Sequence, residues 1–345
     1  MGKVYSIGPI TGVYLKPKYS LINAQLGETF TPGNGLDIFI DLNTLVHALG
    51  TAPKYLNSLP FADNIQADLV ASILGVLKHW KDYARKYDGS RIFLMVNDFD
   101  MGGLAEQEVS NAYLAPFLNK YNQERFSLFT YNWTEAMKIL EAVLKYVPGS
   151  YLVRCRRLDN FIIPNIVDDY SKNGRFRLIV SDSPIMTIYN LENNTRVMYS
   201  RFRSMMSEPD MIVKSISKIN DDIMTTFIKN KVFYSLLLIL IGDFNRGLIG
   251  ISQLGISTFA NELLRAVERG EIPTDPKSIE SVLPIILPEL HDSMRKEYKL
   301  ISIEEHTQLI PKSLVEKVRS DMVDMYDIDG LSKLKVEDFN LIELL

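Results

Sequence analysis

Short apolar runs that stop at an acid constrain this chain more than any other feature. Leu36-Asp37-Ile38-Phe39-Ile40 leads into Asp41, Leu94-Met95-Val96 into Asn97-Asp98, and Leu178-Ile179-Val180 into Ser181-Asp182. Tyr151-Leu152-Val153 is a further run, and Asp159 follows it at what reads as a helix start. Short runs without a polar alternation are how strands buried on both faces look, and such strands belong to parallel sheets. Each run also delivers a carboxylate to the same end of that sheet.

Between the runs the apolar spacing becomes helical. Asp63 to Tyr87 carries Leu69, Ile73, Val76, Leu77 and Trp80 on one face. Trp133 to Val147 predicts an amphipathic helix that Thr130 or Asn132 can cap, and Asn160 to Tyr170 predicts a helix in spite of Pro164. Strands are predicted at Ile92–Val96, Phe176–Val180 and Thr195–Ser200. Strands alternating with helices predict the α/β class, a mainly parallel sheet flanked by helices.

The chain divides into four parts. Residues 1–35 are turn-rich (Gly8-Pro9, Lys16-Pro17, Pro32-Gly33-Asn34-Gly35) and read as an N-terminal arm. Residues 36–210 form the α/β core. Residues 211–275 are helical: an apolar-periodic stretch from Ile223 to Ile241, a stop at Gly242-Asp243, a turn punctuated by Gly247, Gly250 and Gly255, and a helix from Thr258 to Glu268. Residues 276–345 read as an irregular, proline-interrupted tail packing on the core, with one helix near Lys312 to Met325.

Composition narrows the function classes. The single cysteine, Cys155, forbids an internal disulfide and reads as a buried residue of a protein in a reducing, cytoplasmic setting. The start of the chain has no secretory pattern. The longest apolar run, Val232 to Ile241, is far shorter than the ~20 residues a membrane span needs, so it predicts a buried helix and no membrane partner. A net charge of −4 and a pI near 5.7 argue against coating nucleic acid by bulk charge. They leave room for a local grip on a few phosphates. Arg154, Arg156 and Arg157, then Lys172, Arg175 and Arg177, then Arg196, Arg201 and Arg203 form clusters that read either as such a grip or as solvated surface. There is no Walker A pattern, zinc spacing or dinucleotide fingerprint.

Ligands of parallel α/β sheets gather at the carboxyl ends of the strands, so Asp41, Asp98, Asp159 and Asp182 are the candidate site, with Asp243 at the end of the long helix. Converging carboxylates repel unless a cation neutralises them. Mg²⁺ or Mn²⁺ suits oxygen ligands, and a pair of such ions cleaves phosphodiesters. Taken singly, each Asp equally suits a turn or a helix cap.

In order and spacing these features resemble the 5′-nuclease superfamily, which includes flap endonucleases, phage 5′-exonucleases and the phage-type RNase H. The matching segments are Ile38-Phe-Ile-Asp41-Leu-Asn43, Phe93-Leu-Met-Val-Asn-Asp98, Ile179-Val-Ser181-Asp182, and Ile241-Gly242-Asp243 through Gly250 and Gly255 to Phe259-Ala260. The resemblance covers roughly Leu36 to Glu268. It implies a PIN/flap-endonuclease-like core, and a helix–three-turn–helix subdomain whose Gly247, Gly250 and Gly255 let duplex backbone approach. It also implies phosphate steering, for which Lys120 and Arg125 stand in here, and Mg or Mn as cofactor if the site is active.

The departures are as specific as the matches. Where the family carries Glu-x-Asp-Asp, this chain reads Arg156-Arg157-Leu158-Asp159; Pro184 and Arg246 replace two further acids. A cation among metal ligands removes a ligand and adds repulsion. Arg156 is therefore expected to point toward Asp182 or Asp41 and pair with it. Three readings follow. One is a catalytically degenerate relative, with no cofactor, that binds DNA or RNA as an accessory subunit, with protein partners in a replication or transcription complex. A second is an active Mg-dependent 5′-exonuclease or flap endonuclease whose missing ligands come from Asp37, Asp100 or Glu106. The third is a scaffold protein with no nucleic-acid contact.

Overall fold

The computed structural model of the chain describes residues 35–44, 65–97, 123–155, 159–171, 175–181, 183–192, 194–199, 230–243, 256–286, 291–310 and 312–323. Five strands make one sheet: β1 (Leu36–Asp41), β2 (Arg91–Asn97), β3 (Ser150–Cys155), β4 (Phe176–Ser181) and β5 (Thr195–Tyr199). Their order is β3-β2-β1-β4-β5, and every neighbouring pair is parallel. The protein is thus an α/β protein with flanking helices, as the strand–helix alternation predicts.

The order follows from the handedness of crossovers. From β1 the chain steps to β2 and β3 in one direction, through α1 (Ile65–Ala84) and α2 (Gln123–Leu144). It then returns past β1 to β4 and β5, through α3 (Ile163–Ser171) and a 3₁₀ helix at Pro184–Leu191. Reversing direction with right-handed crossovers puts the connections on opposite faces of the sheet. The two cores record this. Trp80 of α1 and Trp133 and Leu140 of α2 pack with Ile38, Ile40, Leu94 and Leu178 on one face. Val167 of α3 and Met186 and Tyr189 of the 3₁₀ helix pack with Phe39, Phe93, Val153 and Ile179 on the other. Alternate residues of each strand feed alternate cores, so β1 is buried along its whole length.

The remaining described α-helices thicken the second face. They are α4 (Lys231–Ile241), α5 (Ile256–Glu268), α6 (Leu283–Ile286), α7 (His291–Ile301), α8 (Ile303–Leu309) and α9 (Lys312–Val323). Residues of α4, α5 and α7 to α9 share one apolar cluster with Phe39 and Phe93. Val232 to Leu240 of α4 are all buried, which is what a helix apolar all round requires. Asn230 caps it, accepting from the amides of Val232 and Phe233. No helix of the described residues is long and apolar enough to cross a membrane.

Two local expectations change. The segment predicted as an irregular tail is not irregular: α7 and α8 are helices, and Met294, Tyr298 and Ile301 turn toward the core at a helical spacing that the prolines before them obscure. And α2 begins at Gln123, ten positions before the predicted start at Trp133. The stretch between β4 and β5 folds as a 3₁₀ helix opened by Pro184, whose fixed φ suits a first turn. The arm 1–34, the turn from Gly247 to Gly255 and the tail after Val323 lie outside the described residues.

Charge enters the sheet at its amino edge. Asp37 of β1 is buried and accepts from two arginines: Arg91 of β2 grips it with Nε and Nη2, and Arg175 ahead of β4 donates through Nε at 2.8 Å. Arg175 and Arg177 are therefore largely buried rather than solvated; Arg177 also reaches Pro164 O and Asn194 Oδ1. Gly35 precedes β1 at φ +75, and a Cβ built there would fall 2.7 Å from Cζ and Nη2 of Arg175. Gly35→Ala must strain the backbone and push Arg175 off a buried carboxylate. We expect a loss of roughly 2–4 kcal/mol, read from urea unfolding of the purified protein.

Glu297 of α7 is the opposite case. Its Oε2 is buried without a hydrogen-bond partner, and burial pushes its pKa up from the usual 4.5 to about 7. The folded state then holds this proton more tightly than the unfolded chain. Stability is full below about pH 4.5, falls as pH rises toward about 7, and stays reduced above. Allowing for solvent screening at a partly exposed group, the change is about 1–2 kcal/mol, and Glu297→Gln should flatten it. Urea midpoints at the two ends of that pH window check this.

Candidate functional site

The strand order reverses between β1 and β4, and in parallel α/β sheets the carboxyl ends of the strands at such a point are where ligands bind. Asp41 is the last residue of β1 and Ser181 the last of β4. Strands β1 and β4 are hydrogen-bonded neighbours, so the two side chains meet although 140 positions separate them.

Asp41 is fully buried and well supplied with donors. Its Oδ1 accepts from the Asn43 amide at 3.1 Å and from Asn160 Nδ2 at 3.2 Å, and its Oδ2 from the Ser181 hydroxyl at 2.6 Å. Ser181 Oγ in turn accepts from the Ser183 amide at 3.1 Å. The Ser183 hydroxyl donates to Asp243 Oδ2. Asp41 and Asp243 are thus joined by a buried relay through two serines. Asp243 stands there because Gly242, at φ 72, ends α4 and turns the chain toward β4. Buried polar groups of this kind must be bonded, and these are.

Asp159 does not join Asp41. It opens the 3₁₀ helix Asp159–Ile162 after β3, and its neighbour Asn160 is the one that reaches Asp41. Asp159 Oδ1 instead lies 3.3 Å from His306 Nε2 on α8. Both residues are fully buried. The other ring nitrogen of His306, Nδ1, is 2.7 Å from the carbonyl oxygen of Leu300. A carbonyl only accepts, so Nδ1 is the nitrogen that donates to Leu300. The pair ties the C-terminal helices to the sheet, and the Phe161 ring packs 5.7 Å from the imidazole.

The site therefore differs from a convergence of strand-end acids. Asp41 and Asp243 are brought together through Ser181 and Ser183; Asp159 is turned to a histidine. Asp98 and Asp182 lie outside the described residues, as do Arg156, Leu158, Arg246, Lys120, Gly247, Gly250 and Gly255, and the side chain of Arg125. The expected turn of Arg156 toward Asp41 falls on the same undescribed part. Pro184 is buried at the start of its 3₁₀ helix, one residue from Ser183. Asp37 cannot supply a missing ligand. It lies four residues back along β1, roughly 13 Å from Asp41 at a strand's rise, and its carboxylate is committed to Arg91 and Arg175. Asp100 and Glu106 lie outside the described residues.

Among the described residues no group of three or more His, Cys, Asp or Glu side chains could hold a metal ion. The donor set agrees: Asp41 already accepts three protein hydrogen bonds, and Asp159 and Asp243 are engaged as well. The described residues do not fit a two-metal centre. Cys155 is buried, its thiol turned to the Val153 carbonyl.

Asn160, Ser183 and His306 are site residues that the acid pattern missed. Ser181 ends β4 and Ser183 follows it by two residues, so polar residues at the end of a buried strand were the available signal. For His306 there was none, since its partner is 147 positions away. No family model, curated protein or solved structure matches this chain.

Removing the imidazole takes a hydrogen-bond partner from the buried Asp159 carboxyl group and the ring that packs against Phe161. His306→Ala should cost about 3–5 kcal/mol, and the Asp159→Asn, His306→Gln double variant should recover part of it by replacing the ionisable pair with neutral amides. Urea unfolding of the three variants checks both statements.

Proposed function

We propose that this is a nucleic-acid-binding protein on a flap-endonuclease-like core, acting as an accessory subunit rather than by two-metal cleavage. The observation that carries the reading is Asp41: an acid at the carboxyl end of the central strand, at the reversal point of the sheet, held by three protein donors. Its position supports the nuclease-like resemblance. Its commitment to protein donors supports a core whose acids serve structure. A carboxylate offers about four acceptor sites, and three of those of Asp41 are taken by Asn43, Asn160 and Ser181, so a metal here would compete with them.

The sequence adds the phosphate grip. Arg156-Arg157 follow β3, Arg201 and Arg203 follow β5, and Arg246 follows Asp243. Arginine forks suit phosphate oxygens, and a few of them bind nucleic acid without a basic protein overall. In the finer reading the core is PIN-like, and the glycine-punctuated stretch between α4 and α5 is a helix–three-turn–helix that approaches duplex backbone. A protein partner in a replication or transcription complex suits the accessory role.

Gel shifts of the full chain on duplex, flap and single-stranded DNA and on RNA, over a range of salt, test this. We expect affinity to fall with salt, and the Arg156→Ala, Arg157→Ala variant to reduce the log–log slope by about two. Replacing Gly250 and Gly255 by leucine should weaken duplex binding. Absence of binding at low salt would favour the scaffold reading. Cleavage of flap DNA with Mg²⁺ or Mn²⁺ would replace the proposal with an active nuclease.

A further inference from the structure

A second site lies at the other end of the sheet. The end of α1, the turn that follows it and the turn before β3 enclose an open cavity of about 260 Å³, lined among others by Lys81, Arg85, Asp88, Gly89, Ser90 and Gly149. This is just below the roughly 300–1,000 Å³ of pockets that take drug-sized ligands, so its occupant is small.

Lys81 lies in the last turn of α1 and Arg85 directly follows its end, its amide still bonded to the Lys81 carbonyl at 2.9 Å, and both line this cavity. Like charges so placed repel. Burial, and then the Arg85 charge, hold the Lys81 ammonium below the usual lysine range. Lys81 gives one hydrogen to the Pro148 carbonyl at 3.2 Å, which fixes it across the cavity and leaves two of its three donors. Arg85 meets Asp82 through Nη1 at 3.1 Å, in an exposed pair of small worth, and keeps the rest of its fork.

The surroundings do not neutralise the pair. Arg91 and Arg175 share the single carboxylate of Asp37, and Arg175 also donates to the Gly89 carbonyl on the cavity wall. Lys86 lies over the Tyr83 ring. Against these cations and the pair itself stand Asp37, Asp82 and Asp88, which leaves this edge net positive among the described residues. Asp88 lines the cavity and opposes an anion, so its removal has a predictable sign.

We propose that this cavity binds a small phosphate-class oxyanion, bridged between Lys81 Nζ and the Arg85 guanidinium. The anion relieves the repulsion between the two cations and takes donors that are otherwise left to solvent. The site is independent of the nucleic-acid reading, because it lies at the amino edge of the sheet and Asp41 lies at the carboxyl edge.

The test is calorimetric titration of the full chain with inorganic phosphate, and in a second arm with a simple phosphate monoester such as phenyl phosphate. We expect a 1:1 complex with Kd of about 1 mM or tighter in at least one arm. Phosphate alone would identify a free ion as the occupant, and the ester alone a phosphorylated small molecule. Lys81→Met and Arg85→Gln should each weaken binding about fivefold or more, and Asp88→Asn should tighten it about twofold or more. Arg85 is exposed, so its variant folds even if Lys81→Met does not. No binding in either arm, or binding that ignores both Arg85→Gln and Asp88→Asn, overturns the proposal.

Discussion

A strand buried on both faces can carry a charge only where the fold brings something to meet it. β1 carries two, Asp37 and Asp41, one near each end, and much of the structure is arranged around that constraint. An unpaired buried carboxylate costs several kcal/mol, a large fraction of what keeps a domain folded. The two ends are solved in different ways. At the amino end the partners are cations, Arg91 and Arg175, set down by the strands that flank β1. At the carboxyl end they are neutral donors, Asn43, Asn160 and Ser181, and the charge is spread through hydrogen bonds.

The second solution ties distant parts of the chain together. Asn160 belongs to the crossover from β3, Ser181 to β4, and Ser183 passes the connection to Asp243 at the end of α4. A parallel path runs from Asp159 to His306 and so to the C-terminal helices. Each link is buried, where the loss of a hydrogen bond is expensive. The polar groups at this edge therefore hold the helical layer onto the sheet. The same edge is where an α/β protein binds ligands. Structural and binding roles compete there for the same lone pairs, and in the described residues the structural role has taken most of them.

The two edges also differ in field. At the carboxyl edge the described acids are matched by donors from the protein itself. At the amino edge two arginines share one acid, and Lys81 and Arg85 face a cavity lined by Asp88, with Asp82 paired to Arg85 beside it. A chain of net charge −4 can hold such a positive region because charge acts locally, within about a Debye length of 10 Å.

How much of this could be read from residues alone depends on the range of each interaction. The parallel sheet was legible in the runs around Ile38, Leu94 and Leu178, because burial on both faces removes the polar alternation along a strand. Helices α1 and α2 were legible in the spacing of their apolar residues, and Asp41 and Asp243 in their places after a strand and a helix. Helices α7 and α8 were not, since prolines break up the sequence just before them and their stripe is only three residues long. Strand order was not legible either, because it is set by the hand of the crossovers and by which faces pack. Above all, the company each acid keeps was decided by tertiary structure. Asp37 looked like a spare ligand and is an arginine's partner; Asp159 looked like a companion of Asp41 and is bonded to His306. A residue's type and local period depend on its near neighbours, and sequence records those. The partner of a buried charge is set by distance in space, and only the folded chain brings positions 41 and 181, or 159 and 306, within reach of a hydrogen bond.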